Sequence, residues 1–214
     1  MSEYMGFQSM FDFLRMGRGR RMRVVCNGNA ALRSISMPVF EINDEIRLLA
    51  DRMIVTMKEN EIPGVGLAAP QVGVNIRMIV IDTRPTKKEK KKQAELSPGE
   101  QLLNPKMPMA LINPEILSSS EETETACEGC LSLPGVEGEV TRPARVLLSA
   151  KTIDGEDIVV ECGGLLARCL QHEIDHLNGI LFFDKLSNEQ KAENQEVMLE
   201  LAEQEKFLAR AEVK

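Results

Sequence analysis

Apolar residues recur at helical spacing between about Asn43 and Asn60, where Ile46, Leu49, Met53 and Met57 fall three and four apart behind acids in the first turn. This predicts an amphipathic helix, stopped by Pro63 and Gly64. Ile76 to Asp82 (IRMIVID) reads as a strand, and Leu111 to Leu117 as a short strand interrupted by Pro114. Val146–Ile153 and Ile158–Glu161 flank Asp154-Gly155, a hairpin signal. A second helix is predicted from about Gly164, ending at Asn178-Gly179, where a left-handed residue is easily placed. A last, highly charged helix is expected from Asn188 to Ala211, with Val197, Leu201 and Phe207 among its few apolar residues. The order helix, strands, helix, without an internal repeat, predicts a single α+β domain of mostly antiparallel strands.

Three stretches fall outside that pattern. Residues 1–23 read as an N-terminal extension and 187–214 as a helical tail, which leaves 24–186 as the main domain. Arg84 to about Pro108 is a polar insertion carrying the run Lys87-Lys88-Glu89-Lys90-Lys91-Lys92, expected as a solvated loop.

Composition narrows the choices. With no Trp, one Tyr, seven Phe and 12 Met, aliphatic and methionine side chains must fill the interior. A net charge of −7, without a region that joins basic residues to stacking aromatics, argues against nucleic acid as the main ligand. A run of about eighteen apolar residues is lacking, so a membrane span is not expected. The N-terminus has no secretory apolar run. Arg15, Arg18, Arg20, Arg21 and Arg23 read as a solvated basic arm more readily than as an organelle address, given Glu3 and Asp12. Five cysteines, an odd number in such a chain, point to reduced thiols.

The chemistry concentrates in the second helix. Gln171-His172-Glu173-Ile174-Asp175-His176 contains HExxH, and residues four apart lie one turn apart on one helix face. Two imidazoles placed so can reach one metal ion, while the intervening carboxylate touches water bound there. His172, His176, Leu165 and Cys169 fall within an arc of about 60° on the predicted helix, its apolar and buried side. Burying neutral His and ionised Glu without partners is costly, and a metal supplies a partner for all three. Read as ordinary helix residues, the two His need no metal, and HExxH alone leaves the third ligand open.

Cys130, in Glu128-Gly129-Cys130-Leu131-Ser132-Leu133-Pro134-Gly135, falls on a strand edge or tight turn and offers a thiolate. Cys130, His172 and His176 would leave a fourth position for water, as in catalytic sites. Cys127 keeps a rival open, a closed structural Cys2His2 zinc site, although 41 residues separate Cys130 from His172. An HExxH metallopeptidase is the other rival, weakened because these are the only two His. Gly64-Val65-Gly66-Leu67-Ala68-Ala69-Pro70-Gln71-Val72-Gly73 imitates a dinucleotide fingerprint, but it follows a helix where that motif follows a strand. It reads instead as bare backbone approaching a ligand, with Gln71 offering a side-chain N–H.

Together GVGLAAPQVG (64–73), EGCLSLPG (128–135) and QHEIDHLNG (171–179) resemble the peptide deformylase family. The resemblance runs from roughly Val24 to Leu186, including Leu32-Arg33 and Met37-Pro38-Val39, and excludes the first 23 residues, the lysine-rich insertion and much of the tail. It implies an α+β fold with the HExxH helix packed among antiparallel strands. It also implies that Cys130, His172 and His176 hold one metal per chain, Fe²⁺ in the cell with Zn²⁺, Ni²⁺ or Co²⁺ able to substitute. Glu173 is then the general base and acid, and Gln71 and the backbone N–H of Leu131 stabilise the oxyanion. The implied substrate is the N-formylmethionyl end of new polypeptides, met at the ribosome, in the cytoplasm of a bacterium or else in an organelle. Gly66 backbone would line the acyl site, and Val65, Leu165 and Cys169 the pocket for the methionine side chain.

Overall fold

The computed structural model describes residues 21–61, 63–85 and 96–212. Arg15, Arg18 and Arg20 of the basic arm, and the lysine run at 87–92, lie outside the described residues. The first predicted helix forms as α1 (Asp44–Lys58), capped by Asn43, whose side chain accepts from the Ile46 N–H, with Asp44 and Glu45 in the first turn.

The central layer is a five-stranded antiparallel sheet built from β1 (Gly66–Ala68), β2 (Met78–Ile81), β3 (Met109–Ser119), β6 (Arg145–Thr152) and β7 (Asp157–Gly163), in the order β1-β2-β3-β6-β7. A separate ribbon pairs β4 (Thr123–Gly129) with β5 (Glu137–Pro143). The HExxH helix is α3 (Gly164–Leu177), and the charged tail is α4 (Asn188–Glu212).

Both faces of the sheet are covered, which explains why IRMIVID has no polar face. Met78 and Val80 of β2, with Ala110 and Ile112 of β3, meet Leu49, Met53 and Met57 of α1. The alternate residues, Ile79, Ile81 and Leu111, meet Leu166, Leu170, Ile174 and Leu177 of α3 on the other face. A third apolar cluster joins Val25 and Leu32 near the start of the chain, Leu133 and Val136 of the segment between β4 and β5, Val140 of β5, Phe182, and Met198 and Leu201 of α4. Methionine does fill the interior as the composition predicts.

Several expectations change. β3 continues through Pro114: its pairing with β6 slips between Ile112 and Glu115, and Asn113 takes φ 49°, a left-handed conformation that Asn tolerates. The insertion is not all loop. Ser97 caps a short helix α2 (Pro98–Leu103) reciprocally with Glu100, and buried Leu103 and Met107 join the core beneath α3. Serine followed three residues later by glutamate was the legible signal there. The ribbon was not foreseen as two strands, because its outward positions are Glu, Thr and Cys and its inward ones include Glu128 and Arg142. Phe207 is 73% exposed, whereas Leu201 is buried and Val197 partly so.

α2 docks closely on β7. A Cβ on Gly99 would stand 2.5 Å from Cys162 Sγ and 2.9 Å from the Glu161 carbonyl oxygen. Gly99→Ala therefore overpacks this contact and should lower unfolding free energy by roughly 1–3 kcal/mol, measured by urea denaturation. An unchanged midpoint would mean that α2 is not held against the sheet.

Candidate metal centre

The strand-to-helix junction Gly163–Gly164 launches α3 from β7, and the middle of α3 meets both β1, where Cys169 and Glu173 lie against Gly66, and the end of β4, where His172 faces Glu128. Cys130 directly follows β4. Its Sγ lies 3.3 Å from His176 Nε2, and donor atoms of Cys130, His172 and His176 all fall within 4.8 Å of one another. Among the described residues this is the one group of metal-ligating side chains so placed. Cys127 is not part of it. It is exposed on β4 opposite Glu139, pointing to the other side of the ribbon from Glu128, which removes support for the closed Cys2His2 site.

The cluster sits in a cleft of about 630 Å³ lined by Val65, Gly66, Gln71, Cys130, Leu131, Leu165, Cys169, His172 and Glu173, among others. A cavity of similar size, about 660 Å³, lies behind α3 and is lined by Arg77, Asp175 and Lys185; it contains none of the three donors. Every residue that the sequence singles out thus comes to one place. Leu165, expected on the buried side of the helix, is 49% exposed at the cleft lip, and Val65 is 43% exposed. Val65 is the residue just before β1 and Leu165 lies in the first turn of α3, and both side chains remain beyond the packed layer.

Gly66 meets the Glu173 carboxylate directly. A Cβ there would lie 2.4 Å from Glu173 Oε1 and 2.8 Å from Cys169 Sγ, so only a bare backbone leaves the carboxylate room. Glu173 is buried, its Oε2 has no hydrogen-bond partner among the described residues, and burial pushes its pKa up to about 7. Such a carboxyl group is poised both to take and to return a proton near neutrality.

Gln71 is fixed by its own backbone turn. Its Oε1 accepts the Ala68 N–H at 2.8 Å, which turns Nε2 toward Cys130 Sγ and Ser132 Oγ, each at 3.3 Å. The amide therefore presents an N–H edge to the space beside the cluster.

The residue that sequence reasoning missed is Glu128, two positions before Cys130. Its carboxylate accepts from Arg142 Nε at 2.6 Å and Nη2 at 2.9 Å, and from Arg168 Nη1 at 2.7 Å, and it lies 2.9 Å from His172 Nδ1. Arg142 in turn donates to Asp175 at 2.7 Å. Burial alone would raise the Glu128 pKa, but the hydrogen bonds from Arg142 and His172 hold it far below the usual carboxylate range. An ionised carboxylate only accepts, so His172 donates through Nδ1 and turns the Nε2 lone pair to the cluster. Inward alternation along β4 was the available signal for Glu128.

The surroundings of His172 favour positive charge. Against the effect of burial, hydrogen bonds to Cys130 and Glu128 raise its pKa to about 10 in the absence of a metal, and a divalent cation satisfies the same field. His176 is driven well below its ordinary value by burial and stays a neutral donor, with Nδ1 unpartnered among the described residues. Burial raises the Cys169 thiol well above the usual value, so it stays protonated and packs as a pocket wall. One thiolate donor, two imidazoles and an adjacent carboxyl outside the donor set fit an open, catalytic metal site.

An α+β domain with an HExxH helix set beneath such a donor cluster defines a hydrolytic metalloenzyme of the HExxH class. Within that class, the sequence pattern of the polypeptide deformylase family matches residues 21–192. The chain is 44% identical to peptide deformylase 2 of Gloeobacter violaceus over 162 residues, 76% of this chain and 77% of that protein. It is 46% identical to the peptide deformylase of Rhizobium meliloti over 73% of this chain and 79% of the relative. The crystal structure of peptide deformylase from Thermotoga maritima superposes with a TM-score of 0.66 at 37% identity, covering 78% of this chain and 99% of that one. A Plasmodium falciparum peptide deformylase gives 0.72 at 32% identity, covering 86% and 98%. The chain belongs to the polypeptide deformylase family, a metal-dependent one.

Glu128 supplies a test independent of catalysis. Because its folded pKa lies below the ordinary 4.5, its ionised form contributes stability above that pH, and this contribution is lost as pH falls below it. Glu128→Gln should flatten the acid side of the stability–pH profile and weaken metal binding about 10- to 100-fold in a chelator competition. Unchanged metal affinity in the variant would remove Glu128 from the support of His172.

Proposed function

We propose that the cleft removes the formyl group from the N-terminal formylmethionine of new polypeptides, using a metal held by Cys130, His172 and His176. The observation that carries this reading is the convergence of the three donors with Glu173 and the Gln71 N–H in one cleft whose Gly66 floor admits only bare backbone beside the carboxyl. A divalent ion held by Cys130, His172 and His176 would supply Lewis acidity there and make a nearby water easier to deprotonate. Glu173 takes a proton from the attacking water as oxygen adds to the formyl carbon. The Gln71 Nε2–H and the Leu131 backbone N–H donate to the oxyanion that forms, each such donor typically contributing about 100- to 1000-fold in rate. Glu173 then returns the proton to the departing nitrogen; the C–N bond breaks, and formate and a free methionine amine are released.

Val65, Leu165 and Cys169 form the apolar wall for the methionine side chain, and the Gly66 backbone borders the acyl group, where a formyl hydrogen fits and a methyl does not. The single thiolate among imidazoles suits Fe²⁺, with Zn²⁺, Ni²⁺ or Co²⁺ able to replace it. The substrate is met as chains leave the ribosome, in the cytoplasm; no helix among the described residues is long and apolar enough to cross a membrane.

Glu173→Gln separates metal binding from proton transfer. The variant should keep about one metal per chain while formate release from formyl-Met-Ala falls at least about 100-fold, the lower contribution of a general acid–base group. Wild-type protein should leave acetyl-Met-Ala essentially untouched. A fully active Gln variant, or equal turnover of both peptides, contradicts the mechanism.

A further inference from the structure

Two loops carry the donors proposed for the oxyanion, Gln71 in the turn after β1 and Leu131 in the turn after β4. Among the described residues no backbone hydrogen bond joins these loops directly. Residues 25–27 run between them. The Val25 N–H donates to the Gln71 carbonyl at 2.8 Å, and the Asn27 N–H donates at 3.2 Å to the carbonyl of Ser132, the neighbour of Leu131. One short segment thus ties both donor loops and sets their separation.

The N–H between those two, that of Cys26, donates instead to a side chain, Glu205 Oε2, at 3.2 Å. Arg23 grips the same carboxylate with both terminal nitrogens at 2.8 and 2.9 Å, and Asn29 Nδ2 donates to its Oε1 at 2.7 Å. Glu205 belongs to α4 and is 2% exposed, whereas Glu200 and Glu203 beside it are exposed. The same face of α4 meets the segment at two further points. Asn27 Nδ2 donates to the Met198 carbonyl at 2.8 Å, and a Cβ on Gly28 would lie 2.8 Å from Ala202 Cα, so a glycine there lets segment and helix approach. Met198, Ala202 and Glu205 follow at spacings of four and three, one face of the helix. Met198 and Leu201 already give α4 an apolar anchor. A buried carboxylate adds little to such anchoring, because desolvation offsets its attraction; what it adds is a fixed geometry.

We propose that Glu205 is a positioning residue for deformylation: through residues 25–27 it holds the Gln71 and Leu131 donors at the spacing that the oxyanion requires. This rests on the deformylase reading of the cleft. The oxyanion forms only as the reaction proceeds, so misplaced donors lower kcat and leave substrate binding nearly unchanged.

The test measures formate release from formyl-Met-Ala by metal-loaded Glu205→Ala and Glu205→Gln, with metal content and urea midpoint read on the same samples. Glu205→Ala should lose about tenfold in kcat, as small misplacements near a reacting centre do, with KM within about twofold and about one metal per chain. Glu205→Gln, which keeps a carbonyl acceptor for the Cys26 N–H, should lose less. The double variant Gln71→Ala/Glu205→Ala decides how the residue acts: with one donor gone, loss of Glu205 should cost clearly less than in wild type. A merely structural anchor gives a different pattern, in which the urea midpoint of Glu205→Ala falls while kcat of the folded enzyme stays the same. That pattern, or rate losses from Gln71 and Glu205 that simply multiply, overturns the assignment. Should Glu205→Ala not fold, the same cycle with Glu205→Gln is read by the same criteria. Absence of formate release by the wild-type enzyme overturns the deformylase reading instead.

Discussion

The site depends on a buried carboxylate that holds two separate pieces of the chain together. Glu128 comes from the β4–β5 ribbon, whereas His172 and Arg168 come from α3, and no backbone hydrogen bonding links ribbon to helix. The four contacts of Glu128, at 2.6 to 2.9 Å, and the continuation through Arg142 to Asp175 fix the ribbon's end against the helix. Cys130 follows two residues after Glu128, so the same network sets where its sulfur lies relative to both imidazoles. A buried ion network of this kind is weak evidence for extra stability, since desolvation offsets much of its attraction. Its value lies in geometry: removing one partner leaves uncompensated charge, so the arrangement holds all its members or fails.

Around that anchor the remaining parts are set by local rules. Gln71 is oriented by its hydrogen bond from the Ala68 N–H, within the turn that ends β1. Glu173 has room because Gly66 carries no side chain, and it is raised toward neutrality because α3 and β1 keep water from it. His176 stays neutral through burial, and His172 is tuned by a carboxylate on the far side of its ring. Gln71 and His172 thus take their direction from a partner outside the donor set, and Glu173 and His176 take their protonation from burial.

Much of this was legible in the sequence. The spacing of Ile46, Leu49, Met53 and Met57 defined α1, the HExxH helix ended at Asn178-Gly179 as expected, and Gly179 takes φ 73°. Cys130, Gln71, Glu173 and the two His were singled out by residue type and spacing and meet in one cleft. What escaped was the ribbon, whose inward face carries Glu128 and Arg142 where a periodicity argument looks for apolar residues. A partner 14 residues away along the chain is invisible until the strands pair. The helix inside the polar insertion escaped for a different reason: six residues are too few for a period to emerge, and only the Ser97–Glu100 cap marked it. Exposure of Leu165 and Phe207 reflects where packing layers end, which helical spacing does not encode.

The central claim is that an open site is built from one sulfur and two nitrogens. X-ray absorption spectroscopy on the metal-loaded protein measures this directly. The account predicts one metal–sulfur distance near 2.3 Å and two metal–nitrogen distances near 2.0–2.1 Å for zinc, with a light oxygen scatterer completing four-coordination. Two sulfur scatterers, bringing Cys127 into the shell, or a shell without sulfur would contradict it.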